Sequence, residues 1–301
     1  PLVSSSAASD VYKRQAGDTR AVKIEPGQCV RIFTGAMIPE GCDTVVMQEL
    51  TQVKDNLLSI TDEKLKLGGN IRKQGHQIKK GDVALVNGTK LNPAAIGFLS
   101  ALGITSVQVY RFPRVIIMAT GDELVQPGNA IAAGQIYESN TKMLSAALLH
   151  LGITSNVVFL PDNFEETKAA ISEALNKADM LLLSGGISVG DYDFVRPSLL
   201  HNGVEEVFYK VNQKPGKPLF FGKSDSKLVF ALPGNPAAAL NCFYMYVYGA
   251  IQSFKGQEHS GLQIKQFPLS NNHVKKEGRA EFVKVKLEED QIHILEGQGS
   301  D

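Results

Sequence analysis

Cysteine is scarce in this chain: Cys29, Cys42 and Cys242 are the only three in 301 residues, an odd number with no CxxC spacing. That argues against a disulfide framework or a cysteine-based zinc site and for a reducing, cytoplasmic setting. Charge of one sign is equally lacking, since Lys plus Arg and Asp plus Glu each number 31. With no bulk positive charge there is no general electrostatic pull toward nucleic acid or an anionic membrane, and neither is expected as a partner. The longest apolar stretch, Ala237 to Ile251, is shorter than the roughly 20 residues a membrane span requires. It also contains Asn241, Gly249 and three tyrosines, so it reads as a buried helix. Gly185, Gly186 and Gly190 do not make GxGxxG, and no GKS or GKT follows, which sets aside the dinucleotide fingerprint and the P-loop. The six histidines form no ligand spacing. A small molecule is the partner these absences leave.

What is present points to an anion. Leu228 to Ala237, LVFALPGNPA, couples a buried strand to a helix through a turn. Asn235 is a good N-cap, and Pro236 stands where a first helical residue needs no amide hydrogen. A strand end opening into a helix N-terminus offers free amides and a positive dipole end, the arrangement that holds phosphate in α/β folds. The logic recurs at Met180 to Asp193, where an apolar strand ends in Ser184, Gly185 and Gly186. It recurs again at Val115 to Glu123, where a strand runs into Thr120, Gly121, Asp122 and Glu123. Glycines at such ends let the backbone approach a ligand closely.

The chain is long enough for two or more domains. Residues 1–15 are small and polar with no apolar period, and read as disordered or foreign to the fold. From Ala16 to about Gly88, short β-type runs (21–24, 29–34, 44–49, 57–61 and 83–86) are punctuated by glycine. With a helix capped by Asn92 and Pro93 and stopped at Gly103, residues 16–113 form a mostly-β module. Residues 114–256 alternate strand and helix: helices start at Ser139 or Asn140, at Asp162 or Asn163, after Asp193, and after Asn235. Strands are expected from Val115 up to Thr120 and at 157–160, 180–184, 206–212 and 228–232. Such βα repetition implies a doubly wound, largely parallel sheet with the ligand at the carboxyl ends of its strands. Beyond Leu262 the pattern turns β-like, at 282–287 and 291–295, as the start of a C-terminal β-domain that ends inside it.

Seven ordered strings carry a family resemblance: FTGAMIPEGCDTVVMQE (33–49), NIRKQG (70–75), ATGDEL (119–124), QIYESN (135–140), SGGISVGDYD (184–193), KPGKP (214–218) and LPGNPAA (232–238). Together they resemble molybdopterin molybdenumtransferase, the bacterial MoeA type that is also the E domain of gephyrin. The resemblance implies that adenylylated molybdopterin and molybdate meet in a cleft, that magnesium assists loss of AMP, and that molybdenum is placed on the pterin dithiolene. By motif position it implies acidic site residues at Glu123, Asp162 and Asp193, with Glu123 and Asp193 toward the metal. It implies basic ones at Lys210, Lys214 and Lys217. Thr34 matches a threonine of the TGA string, Pro233 and Pro236 the pair that shapes the substrate loop, and Ser188 the serine of SGGIS. It further implies a homodimer and a molybdopterin adenylyltransferase as a partner.

The chemistry of these side chains agrees with that role. Dispersed carboxylates beside phosphate can hold a hard cation through water. Lysines suit oxyanions because a flexible point charge tolerates changing geometry. On an extended segment Lys210 and Lys214 share a side, and the turn at Pro215 and Gly216 brings Lys217 round, so three cations are expected on one pocket. Against the family's pattern, no PGFDNSAMDGYA-like stretch precedes Ala16, His76 and Gln77 follow NIRKQG where an acidic pair is usual, and Lys284 replaces an arginine. Two other readings stay open: a related pterin adenylyltransferase or another enzyme of the same α/β domain, and a non-catalytic scaffold or binding module.

Overall fold

The computed structural model describes residues 3–4, 13–55, 57–187, 193–257, 261–275 and 278–296. The chain divides into two compact units, Pro1–Val86 and Asn87–Asp301, upstream of the boundary expected near Pro113. The reason is visible in the joining segment. A Cβ on Gly256 would lie 2.3 Å from the ring of Tyr110, Arg111 stands over the Phe254 ring at 5.3 Å, and Arg111 and Arg114 both pair with Asp179. Residues 87–113 are thereby fastened to the second unit.

The first unit is built mainly of turns. Thr51–Lys54 and Leu57–Ile60 form an antiparallel hairpin, and Val3–Ser4 pairs with Leu57 and Leu58. Lys13–Arg14 runs parallel to Arg31–Ile32. Arg14 is 1% exposed, and its guanidinium donates to the carbonyls of Asp18 and Arg20. From Lys13 onward, then, the stretch read as foreign is joined to the module. Residues 44–49 and 83–86 do not form the expected strands. Val45 instead donates to the Gly69 carbonyl and accepts from the Asn70 side chain, so loop partners replace a ladder.

The second unit is α/β. Its sheet contains β1 (Val115–Thr120), β2 (Ser155–Leu160), β3 (Met180–Ser184), β4 (Glu205–Tyr209), β5 (Phe220–Ser224) and β6 (Lys227–Leu232), in the order β4-β5-β6-β3-β1-β2. β6, β3, β1 and β2 are mutually parallel, whereas β5 is antiparallel to β4 and β6. β5 was not expected from the sequence, because Gly222 interrupts its apolar run and glycine inside a strand reads as a break. Its role is steric: a Cβ at Gly222 would meet Val204 Cγ1 at 2.7 Å and the Glu205 carbonyl at 2.8 Å. β4 stops at Tyr209 rather than 212 because Lys210 adopts φ 64°.

Period-two alternation sorts the parallel strands into two cores. Val115, Ile117, Met180, Leu182, Phe230 and Leu232 face one way and pack with Leu144 and Leu148 of α2 (Asn140–His150). The same cluster takes Ala239 and Cys242 of α5 (Pro236–Cys242). Ile116, Met118, Leu181, Leu183, Val229 and Ala231 face the other way, against Ile171 and Leu175 of α3 (Phe164–Lys177) and Val195 and Leu199 of α4 (Val195–His201). The earlier helix α1 (Pro93–Ala101) is capped by Asn92, as expected. α5 passes through a π turn at Phe243–Val247, which the sequence did not signal, into α6 (Tyr248–Phe254). At the C-terminal end, Ala280–Glu281 runs beside Gln213–Lys214, and Val285–Glu288 pairs with Gln291–Ile294. That tail is thus laid onto the second unit.

Leu182 is fully buried in the central strand. Leu182→Ala should cost about 2–5 kcal/mol by urea denaturation, whereas Val157→Ala on the half-exposed edge strand β2 should cost within about 0.5 kcal/mol.

Candidate functional site

Register brings the site together. Ser184 at the end of β3 is level with Ala119 of β1 and Leu232 of β6, so the turns that follow all three strands emerge at one edge. A cleft of about 440 Å³ opens there, lined by Thr120, Gly121, Glu123, Asp162, Gly185, Gly186, Ile187, Pro218, Pro233, Gly234 and Asn235. The glycines are required by close approach. Gly185 has φ 87° and a Cβ there would lie 2.9 Å from the Thr120 carbonyl, while one on Gly186, at φ 62°, would strike Val195 and Thr120 side chains below 3.0 Å. Gly234 stands beside the Gly185 Cα at 3.7 Å from its would-be Cβ. Two strand ends therefore meet backbone to backbone.

The acids take different positions. Asp162 follows β2, whose Leu160 is level with Thr120. Its carboxylate accepts from the Thr120 hydroxyl at 2.6 Å and from the Asp122 amide at 3.4 Å. It does not cap α3; Asn163 does, accepting from the Glu166 amide. The Glu123 carboxylate folds back over Gly121, within 2.8 Å of where a Cβ would stand. Asp193 precedes α4, half-buried, and its Oδ1 has no hydrogen-bond partner among the described residues. Burial pushes the Asp193 carboxyl up to about 6, with the Val195 amide and Arg196 pulling the other way. Arg196 is held by Glu206 at 2.7 Å.

The lysines depart from expectation. Lys210 is not on an extended segment: its positive φ turns the chain, and its ammonium lies over the Tyr209 ring at 4.8 Å. Lys214 sits in the short ladder with Glu281, and Lys217 gives its carbonyl to the Val211 amide. All three are exposed and none lines the cleft; only Pro218 of their loop does. The convergence of three cations on one pocket is therefore not what this arrangement displays, because the reversal at Lys210 destroys the alternation on which it depended.

Other expected residues fall as follows. Ser184 is buried at the end of β3, Asn235 caps α5 by accepting from the Ala238 amide, and Pro236 is its first residue, outside the lining. Asp122 contributes its amide rather than its exposed side chain. Thr34 belongs to the first unit, and Ser188 lies outside the described residues. Among the described residues no three His, Cys, Asp or Glu side chains cluster as a metal site.

Two residues that matter here were not singled out by sequence. Thr120 orients Asp162. The sequence offers Asn140 as a possible cap, yet Glu138 takes that duty, its carboxylate accepting from both the amide and the hydroxyl of Thr141. The Asn140 amide is thereby free to donate to Ser184 Oγ at 2.8 Å and to the Gly234 carbonyl at 2.7 Å, tying two walls of the cleft. The acid two residues before Asn140 was the available signal, since a longer carboxylate can reach the helix amides from outside.

These features define an α/β domain with a cleft at the carboxyl edge of its sheet, the place where such folds take small-molecule ligands. Comparison narrows the class. Residues 116–253 match the family model described as a probable molybdopterin binding domain. Residues 3–103 match the MoeA N-terminal region, domains I and II, a match that reaches into the stretch 1–15. The molybdopterin molybdenumtransferase of Haemophilus influenzae is 42% identical over 231 residues, 76% of this chain and 57% of that protein. That of Bacillus subtilis is 37% identical over 266 residues, 85% of this chain and 62% of that protein. A solved structure of the MoeA molybdopterin biosynthesis protein from Pyrococcus horikoshii superposes with a TM-score of 0.75 at 30% identity, covering 96% of this chain and 72% of that one. The chain belongs to the MoeA family, and it spans less than two thirds of the length of these two curated relatives.

Asp193 generates a pH test. The unfolded carboxyl releases its proton near 3.8 and the folded one near 6. Between those values the folded state binds more protons, so this group's contribution makes stability fall as pH rises from about 4 to about 6. Asp193→Asn should flatten that part of the curve, measured by denaturant unfolding across pH 4–7 without added magnesium, and should be relatively more stable at pH 7. An unchanged slope would reject the assignment.

Proposed function

We propose that this chain binds adenylylated molybdopterin and molybdate in the cleft, and that it serves the insertion of molybdenum into the pterin dithiolene with release of AMP. The observation that carries this reading is the meeting of the Gly121, Gly185–Gly186 and Gly234 turns with Glu123 and Asp162 on one cleft. The turns and the amides at the start of α5 suit a phosphate, while the MoeA family and the names of the relatives supply the pterin.

Magnesium fits the donor set. Glu123 and Asp162 front the cleft, and two carboxylates completed by water and phosphate oxygens satisfy this hard cation without a full protein cage. Asp193, a desolvated carboxyl with one oxygen unpaired among the described residues, is a further candidate, since a nearby cation would offset its burial. When bound, the ion would neutralise charge developing on phosphate or molybdate. Thr120 would hold Asp162 in place, and Lys214 and Lys217 would approach the oxyanion from the loop that places Pro218 on the cleft. Lys210 would act from its seat on Tyr209.

The match to the MoeA N-terminal region favours this reading over a stand-alone adenylyltransferase. On the same family grounds we infer a cytoplasmic homodimer that receives its substrate from an adenylyltransferase. No helix among the described residues is long and apolar enough to cross a membrane.

Loss of one charge-assisted hydrogen bond should weaken binding by about 10- to 150-fold. Titration calorimetry with adenylylated molybdopterin and with molybdate should show that loss for Lys217→Ala and Lys214→Ala, with circular dichroism unchanged. Glu123→Ala should reduce the gain in affinity that magnesium confers. Flat affinities in folded variants would favour a scaffold and overturn the reading.

A further inference from the structure

Behind the cleft lies a buried polar cluster that the proposed chemistry does not use. Gln213 is 2% exposed, although it stands in a loop between β4 and β5 whose neighbours Asn212 and Lys214 are exposed. Its Nε2 donates to the carbonyls of Pro215 at 3.3 Å and Gly216 at 3.2 Å, and to Cys242 Sγ at 3.5 Å. Its Oε1 accepts from the Tyr246 hydroxyl at 2.5 Å. The Cys242 thiol donates to the Gly216 carbonyl at 3.8 Å, and burial pushes that thiol up to about 12, so it keeps its proton at neutral pH. Gly216, at φ 90°, has no room for a side chain, since a Cβ would lie 2.5 Å from Cys242 Sγ.

The partners come from two walls of the site. Cys242 ends α5 and Tyr246 lies in the π turn, on the helix that begins at the Asn235–Pro236 rim. π turns are frequent at functional sites, where the extra residue in the turn re-aims side chains. The loop on the other side carries Lys214 and Lys217 and ends in Pro218, which lines the cleft. The Gln213 side chain braces that loop through the Pro215 and Gly216 carbonyls and ties it to that helix through Cys242 and Tyr246.

We propose that Gln213, backed by Tyr246, is a positioning residue that fixes the Lys214–Pro218 loop on the helix bearing the Pro233–Pro236 turn, and so sets where the loop's cations meet an oxyanion. This rests on the oxyanion reading given above. A buried amide is suited to the task because it supplies two donors and an acceptor at once, whereas an apolar residue there would leave the Pro215 and Gly216 carbonyls and the Tyr246 hydroxyl short of partners.

The test uses the whole chain with sodium molybdate as the probe, by titration calorimetry, in wild type, Tyr246→Phe, Gln213→Glu, Lys217→Ala and the Tyr246→Phe/Lys217→Ala pair. Tyr246→Phe keeps the ring against Phe208 and removes only the donor to Oε1. Molybdate affinity should fall about fivefold, the effect of one net hydrogen bond, with the thermal midpoint measured alongside. Gln213→Glu, which turns a carboxylate toward two carbonyls, should lose at least as much and serves if Tyr246→Phe does not fold. In the Lys217→Ala background Tyr246→Phe should cause a smaller loss than in wild type, because one of the two cations it positions is gone. Wild-type affinity in folded Tyr246→Phe and Gln213→Glu, or equal losses with and without Lys217, would overturn the positioning role alone. Unchanged affinity in Lys217→Ala would overturn the oxyanion reading and this proposal with it.

Discussion

The site depends on one geometric constraint, the level ending of three parallel strands. Ala119, Ser184 and Leu232 are cross-strand neighbours, so whatever follows them arrives at the same edge of the sheet. The register is held because each strand is apolar on both faces: sliding β3 by one residue would exchange Leu181 and Leu183 with Met180 and Leu182 between two differently shaped cores. Packing energy spread over the whole sheet thereby fixes the position of turns that themselves bury little. The glycines then decide how closely the turns approach. At Gly185 and Gly186 the positive φ and the nearness of Thr120 leave no space for a Cβ, and the Asn140 amide secures the remaining gap between Ser184 and Gly234.

Much of this was legible in the sequence, and the parts that were not share a cause. The four parallel strands announce themselves as short runs of Val, Ile, Leu and Met, and the caps at Asn92, Asn163 and Asn235 stand at their helices because a side-chain oxygen there replaces a missing backbone acceptor. What failed depended on single backbone conformations. One positive φ at Lys210 ended β4 early and turned the lysines away from a shared face. Gly222 concealed β5. In the first unit, where loops satisfy loops as at Val45 and Asn70, β-type composition was a poor guide because no long ladder imposes alternation. The acids Glu123 and Asp162 did reach one cleft, since they directly follow strands whose register is fixed. The lysines, on a loop shaped by side-chain bonds of Gln213, had no such guarantee.

The two edges of the sheet are finished in opposite ways. At the amino edge Asp179 accepts from Arg111 and from both the backbone and side chain of Arg114, and the Arg111 guanidinium holds its carboxyl well below the usual carboxylate range. Its backbone also joins Arg114 and Leu228, so β1, β3 and β6 are clamped at their starts. Every atom of that acid is answered within the chain. At the carboxyl edge one oxygen of Asp193 and one of Asn140 have no partner among the described residues, while Glu123 and Asp162 line the cleft. A buried polar atom left without a partner costs about 1–3 kcal/mol. The edge that holds the strands is thus electrostatically closed, whereas the edge where the strand-end turns meet presents acceptor oxygens that, on the reading proposed above, a cation would engage.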